Sequence, residues 1–333
     1  MSGLLRSDAW PGFRAPTPEL TKTLRVRDLL GMASGIGEST NGSGWHEGDP
    51  SAGQLLQSVV NLPVIDAPGK TFFYNNTVFA VGGYLPFLFA GVAEADLSAA
   101  YGEAMHTRVY EPTGMKGALI ADDPRRLVSN YAAAHGPDLR GKQSVLPYGP
   151  VGSFAPIGGT LATLRDMAAY VRLQLGHGVA ANGKRVVSAA NLAECWKPTS
   201  RFRCRRPNST QIVRVSAMAW PGLAWNNEKF TDDTSLISHT GGIDGFSTFI
   251  GFVQEHDTGI VVLNSMNPGP NGSLFGPYVV NVLLSGQFGL NRGGADAVLA
   301  ASRAAAATCN SRAARGSSRC WPCPTAATSC RAD

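Results

Sequence analysis

The sequence predicts a mixed α/β (α+β) fold, with an antiparallel sheet flanked by helices and joined to a mainly helical lobe. Three observations carry that prediction. Helical spacing dominates residues 24–176, and short β-rich runs bounded by turn residues dominate after Pro198. A content of 44% hydrophobic and 16% charged residues in 333 is ample to bury a large core. No internal repeat divides the chain, and residues 1–292 read as one domain.

Each element has its own reason. Val26-Arg27-Asp28-Leu29-Leu30 has helical spacing and leads into Ser34-Gly35-Ile36-Gly37, after which Gly, Ser and Asn mark a loop to Asp49. Residues 51–61 are expected to be helical and Pro68-Gly69 to turn the chain. Residues 77–90 and 96–110 read as two helices that end near Pro112-Thr113-Gly114. The apolar run 78–93 is broken by Gly82, Gly83, Pro86 and Gly91 and is short for a bilayer, so it reads as a buried helix rather than a transmembrane segment. Residues 155–159 read as a turn. Residues 163–176 form an amphipathic helix, opened by Arg165 and Asp166 and closed by Gly176 and Gly178. The runs 212–219, 235–240, 246–253 and 259–263 predict an antiparallel meander, and 277–288 a last helix. Residues 293–333 are Ala, Arg, Ser, Thr and Cys with little large apolar content, so this tail is expected to be disordered.

Composition excludes several partner classes. Of the net charge of +5, the stretch 295–333 supplies three charges, five Arg against two Asp, leaving +2 for everything before it. That balance gives no case for nucleic acid or a membrane surface. Four of six cysteines, Cys309, Cys320, Cys323 and Cys330, lie in the tail and cannot staple the folded part. Cys195 and Cys204 are left as a pair or as two free thiols. Met1–Arg27 has no apolar core of a signal peptide and carries Pro11, Pro16 and Pro18, so localisation stays open. The six His are scattered without ligand spacing; no metal and no cofactor is implied.

Two clusters carry chemistry. The first is Phe73-Tyr74-Asn75-Asn76, directly after Ala67-Pro68-Gly69, which puts a phenol and a carboxamide two residues apart at a helix start. A phenol titrates near ~10, so it acts as a base near neutrality only beside cations or as a relay to another base. Read alone, Tyr-x-Asn is more often a core Tyr with an Asn cap than a catalytic pair. The second is His239-Thr240-Gly241-Gly242, expected at the end of one strand and followed by Ile243-Asp244-Gly245-Phe246. It offers a titratable ring, a hydroxyl and glycine backbone that a substrate can approach closely, or simply a Gly-Gly hairpin beside a surface His.

In this order, with the motifs between them, the clusters are more specific. Leu24-Arg25-Val26-Arg27-Asp28-Leu29-Leu30 with Ala33-Ser34-Gly35-Ile36 resembles the stretch after the nucleophile helix of class C-type β-lactamases, D-Ala-D-Ala carboxypeptidases and related esterases. Tyr74-Asn75-Asn76 is similar to that family's Tyr-x-Asn element, and Glu111-Pro112-Thr113-Gly114-Met115 to its Pro-Leu-Gly-Met turn. Pro156-Ile157-Gly158-Gly159 with Thr163-Leu164-Arg165-Asp166-Met167-Ala168 resembles its Gly-Gly and Arg-Asp helix, and His239-Thr240-Gly241-Gly242 its Lys-Thr-Gly or His-Thr-Gly strand. The resemblance covers roughly residues 24–290. It implies a β-lactamase/transpeptidase-like fold and acyl transfer, in which a Ser attacks an amide, lactam or ester carbonyl of a small or peptide-like substrate and water later clears the acyl-enzyme.

The resemblance also implies roles. Tyr74 would be the base or proton relay, and Asn76 a polar contact to substrate and to a nucleophile-side Lys. His239 would fix a substrate carboxylate or tune Tyr74, Thr240 would donate to substrate, and the backbone of Gly241 and Gly242 would line it, the Gly242 amide giving half of an oxyanion hole.

The nucleophile is the departure from the family pattern. No Ser in the chain has a Lys three positions on, and only about two dozen residues precede the Val-Arg-Asp-Leu-Leu stretch where the motif belongs. The first strands and the nucleophile helix of such a fold are therefore expected to be absent, which would leave apolar faces for a partner protein to cover. Ser34 is the one substitute in a family-like loop, but no base lies within a helical turn of it. The reading is thus an N-terminally incomplete serine hydrolase, its Cys/Arg-rich end fitting a shifted reading frame. The alternatives are a non-catalytic relative that binds a ligand or partner, and an enzyme with another nucleophile.

Overall fold

The structure, a computed structural model, describes residues 13–38, 50–138, 142–197, 219–221, 223, 225–229, 234–243, 245–266, 278–279, 282–283 and 330–331. Two short helices open it, α1 (Pro18–Thr23) and α2 (Val26–Leu30). Thr17 caps α1, its Oγ1 accepting from Leu20 N at 3.2 Å. Asp28 closes a capping box on α2 by accepting from Arg25 N at 3.0 Å, and it also takes two guanidinium bonds from Arg25 at 2.8 Å. Next come α3 (Ala52–Ser58), continued as the 3₁₀ turn Val59–Asn61, the short strand β1 (Thr71–Phe72) and α4 (Asn76–Phe89). Then α5 (Leu97–Met105) runs through the π-helical turn His106–Tyr110 into α6 (Glu111–Thr113), which stops where Gly114 adopts φ of 83°.

The centre of this helical lobe is α4. It is apolar on nearly every face, as a helix surrounded by others must be, and it buries Val78, Ala80, Val81, Tyr84 and Leu85. These pack with Leu24, Leu29, Ile36, Leu55, Leu56 and Val59 in one core. Burying Tyr84 requires a partner for its phenol, and Tyr84 Oη donates to Ser153 O at 2.8 Å.

β2 (Leu119–Ile120), the hairpin of β3 (Ala134–Pro137) and β4 (Gln143–Leu146), α7 (Ala155–Gly158) and β5 (Thr160–Leu161) follow, β5 returning to pair with β2. The turn expected at 155–159 is thus a helical turn, started by Pro156 in its first turn, where proline's missing N–H is no loss. α8 (Leu164–Leu175) has Thr163 and Asp166 as a capping box and Gly176 as C-cap; α9 (Ala189–Trp196) completes the helices.

The main sheet is an antiparallel meander as expected, with one strand, at residues 226–229, beyond the four expected runs. Its strands β6 (Ala219–Pro221), β7 (Asn226–Lys229), β8 (Ser235–Ile243), β9 (Phe246–Val253) and β10 (Thr258–Asn264) lie in the order β10-β9-β8-β7-β6. Helix α8 lies so close to it that a Cβ on Gly259 would fall 2.1 Å from Val171 Cγ1. Val171, Leu192, Trp196, Ile237 and Phe252 form the core between helices and sheet. Strand β8 does not end at the glycine pair as expected. It runs on to Ile243, because β9 pairs with Gly241 through Thr248 and with Gly242 through Ser247, and Gly245, at φ of 77°, lies in the turn that follows.

Of the tail, Cys330–Arg331 form β11, antiparallel to β1; the rest lies outside the described residues, as do residues 212–218 of the first expected strand. Within 277–288, residues 278–279 and 282–283 are described, as helical. Cys195 is a free thiol, and Cys204 lies outside the described residues. Among the described residues no helix is long and apolar enough to cross a membrane.

Candidate active site

Tyr74 sits just ahead of α4, 40% exposed. Its place is set by Asn75, which is 1% exposed and does two jobs. Asn75 Oδ1 caps α4 by accepting from Val78 N at 3.0 Å, and Asn75 Nδ2 donates to Gly37 O at 2.8 Å. The second bond draws the segment after Ser34 against the helix start. That segment is held from its other side by Gly37 N donating to Pro63 O at 2.8 Å and by the bridge between Ile36 and Val64. Asn76 is the first residue of α4, half-buried, and its carboxamide makes no hydrogen bond to the protein among the described residues.

The neighbour that this arrangement gives Tyr74 is Glu38. Burial pushes the phenol up from its ordinary range, and the Glu38 carboxylate pushes it further. No cationic side chain among the described residues opposes these effects. In this environment Tyr74 holds its proton at neutral pH. Burial also raises Glu38 itself, whose Oε1 is enclosed with no hydrogen-bond partner. Glu38 is marked by nothing in the sequence, and Asn75 only by its place in the Tyr74-Asn75-Asn76 element. An acidic residue in a Gly/Ser/Asn-rich loop has no spacing signal, whereas Asn75, as a cap before an apolar run, was open to that reading.

His239, Thr240, Gly241 and Gly242 lie together on β8. Strand β7 pairs with β8 only from Ser235 to Ser238, while β9 pairs with it through Ile243. Residues 239–243 therefore have a strand on one side only, among the described residues. Thr240 and Gly242 are exposed there, and Ser238, where pairing with β7 stops, is buried. Gly241 is required by its cross-strand neighbour, since a Cβ at this position would lie 2.2 Å from Thr248 Oγ1.

His239 Nδ1 lies 2.6 Å from Thr240 O. A carbonyl only accepts, so Nδ1 carries the proton and Nε2 of the neutral ring is left as an acceptor. Burial lowers the imidazole below its ordinary value, the Thr240 carbonyl opposing, and the ring is neutral at pH 7. No hydrogen bond joins Tyr74 or Asn76 to His239–Gly242 among the described residues. Ser34 is 3% exposed and its Oγ accepts from Ile36 N at 3.1 Å, a turn contact; no base bonds to it among the described residues. A groove of about 630 Å³ between α8 and β10, lined by Leu164, Val171, Arg172 and Asp257 among others, lies two strands away from β8 and holds none of these residues.

Known proteins resemble the chain throughout this frame. A family model described as Beta-lactamase matches residues 7–280. Penicillin-binding protein 4 of Amycolatopsis lactamdurans is 26% identical over 190 residues, 56% of this chain and 47% of that protein. The unguisins hydrolase ungD' of Aspergillus campestris is 23% identical over 269 residues, 79% of this chain and 46% of that protein. The chain thus spans about half the length of these two curated relatives. The octameric penicillin-binding protein homologue from Pyrococcus abyssi superposes with a TM-score of 0.66 at 19% identity, over 86% of this chain and 60% of that one.

Proposed function

Because the chain belongs to the beta-lactamase family, we propose that it carries the substrate-binding part of an acyl-transfer site for a small amide, lactam or ester, without the nucleophile. The one-sided pairing of β8 at residues 239–243, among the described residues, is the observation that carries the reading. An extended, peptide-like ligand pairs with the other edge, its carbonyl toward the Gly242 amide as half of an oxyanion hole. Thr240 donates its hydroxyl to the ligand. Tyr74 and Asn76 present a phenol and a carboxamide from the start of α4.

The reaction needs a serine activated by a neighbouring amine, and no Ser-x-x-Lys pair exists in these 333 residues. The phenol agrees with that gap. Tyr74 is raised by burial and by Glu38, the opposite of what a lysine ammonium beside it would do. On this reading the chain binds a carbonyl ligand and does not turn it over.

Treatment with a fluorescent penicillin and a fluorophosphonate, followed by mass mapping, tests this on the chain as given and on a version extended by its upstream coding sequence. The expected result is labelling of the extended version alone. Labelling of a serine within the 333 residues contradicts the reading. Labelling of neither, with ligand still bound, favours the second reading, a non-catalytic relative.

A further inference from the structure

We propose that the outer edge of β10 is an interface between two copies of this chain, which pair antiparallel, β10 to β10, about a two-fold axis at Val261. The inference does not depend on the acyl-transfer reading and concerns the other flank of the sheet.

The edge is built to pair. In the order β10-β9-β8-β7-β6 strand β10 is terminal, and among the described residues β9 alone pairs with it. That pairing runs unbroken over seven residues, from Thr258 opposite Val253 to Asn264 opposite Ser247, so no bulge bends the strand. Both ends are tied down, Thr258 Oγ1 donating to His256 O at 2.9 Å and Asn264 Nδ2 to Ser247 Oγ at 3.3 Å. Edge strands are ordinarily blunted by a lysine, a proline, a bulge or a covering segment. Thr258-Gly259-Ile260-Val261-Val262-Leu263-Asn264 carries no charge and no proline, and Leu263 is 40% exposed.

The flank of this edge fits a second copy. The groove of about 630 Å³ beside α8 takes its strand lining from Gly259 and Val261 and none from β9, so it opens on the outer side of β10. Alternation along the strand puts Leu263 on the same face as Gly259 and Val261, toward α8, while Ile260 and Val262 join Leu236 and Phe249 on the opposite face. Pairing about Val261 engages all seven residues and sets Leu263 of each copy opposite Gly259 of the other. Gly259 brings no side chain of its own, so that leucine enters the groove beside Val171 and Leu175, the residues nearest the missing Cβ. The paired segments bring no like charges together, and Arg172 and Asp257 stay exposed at the rim of the groove. Seven strand residues span about 24 Å. A contact of that length, one strand and one helix flank wide, lies at the small end of specific interfaces, so the dimer is reversible.

Sedimentation equilibrium of the full chain over about two decades of concentration tests the interface. A monomer–dimer equilibrium with Kd in the micromolar range is expected. Leu263→Arg, at an exposed position, should weaken it about tenfold or more, because it drives a guanidinium into each apolar groove. Val145→Arg changes a residue of β4 that is 66% exposed and should leave the equilibrium as it is. Should Leu263→Arg fail to fold, amide exchange of the wild type gives the second readout, with slower exchange at residues 258–264 in concentrated than in dilute protein. Monomer at every concentration overturns the proposal, whether the edge is bare or taken by another segment. A dimer indifferent to Leu263→Arg, or weakened equally by Val145→Arg, overturns it as well.

Discussion

The residue with the most structural consequence near the site is Asn75, not Tyr74. Its two hydrogen bonds cap α4 and hold the segment before Glu38, so Asn75→Ala removes a cap and leaves a buried carbonyl, Gly37 O, without its donor. A loss of about 2–3 kcal/mol is expected in urea unfolding. A loss no larger than an exposed cap would give, about 0.5 kcal/mol, contradicts this role. His239 makes a different prediction. Its ring is lowered below 6.5 by burial, so as pH falls the unfolded chain takes up this proton before the folded one does. The stability it contributes is complete above 6.5 and is lost as pH drops through the folded value. Replacing His239 with Gln should flatten that acid limb in thermal melts recorded from neutral to mildly acidic pH; an unchanged limb would show that the ring is not held neutral.

Among the elements, those with a local signal were legible and those held by distant pairing were not. Helices α3 and α8 announce themselves through Ser51 with Gln54 and Thr163 with Asp166, where side chain and backbone satisfy each other within one turn. The meander was legible from alternating β-rich runs, and the Tyr-x-Asn helix start from the turn at Pro68-Gly69 before it. The extent of β8 was not. Two adjacent glycines have little strand preference of their own, and β9 alone carries the strand through them to Ile243. The end of described pairing at Ser238 was therefore invisible, because it depends on where β7 stops. The β3–β4 hairpin is likewise tertiary. His135 N donates to Gly245 O at 3.2 Å, and Tyr148 packs on Phe246 with ring centroids 5.8 Å apart. This contact predicts that Gly245→Ala is costly, since φ is 77° and a Cβ would lie 2.4 Å from Ala134 Cβ. A destabilisation of about 2–4 kcal/mol is expected from left-handed strain and the clash together. Near-neutral behaviour in denaturant melts would mean that the hairpin does not press on this turn.

At the scale of the whole molecule, the family and fold were readable because five motifs stand in order along the chain and the antiparallel sheet with its helices bears out the architecture. The electrostatics of the site were not readable, since they come from burial and from one carboxylate 36 residues before Tyr74 in sequence. Those electrostatics shape the central claim, which is that the chain holds a carbonyl-binding site and lacks the group that attacks the carbonyl. The most direct measurement is titration of the isotopically labelled chain with benzylpenicillin, following backbone amides by NMR and the intact mass in parallel. The account predicts shifts centred on residues 74–76 and 239–243, saturable and with no gain in mass. An acyl adduct on any serine of the chain, or shifts confined to the groove between α8 and β10, would contradict it.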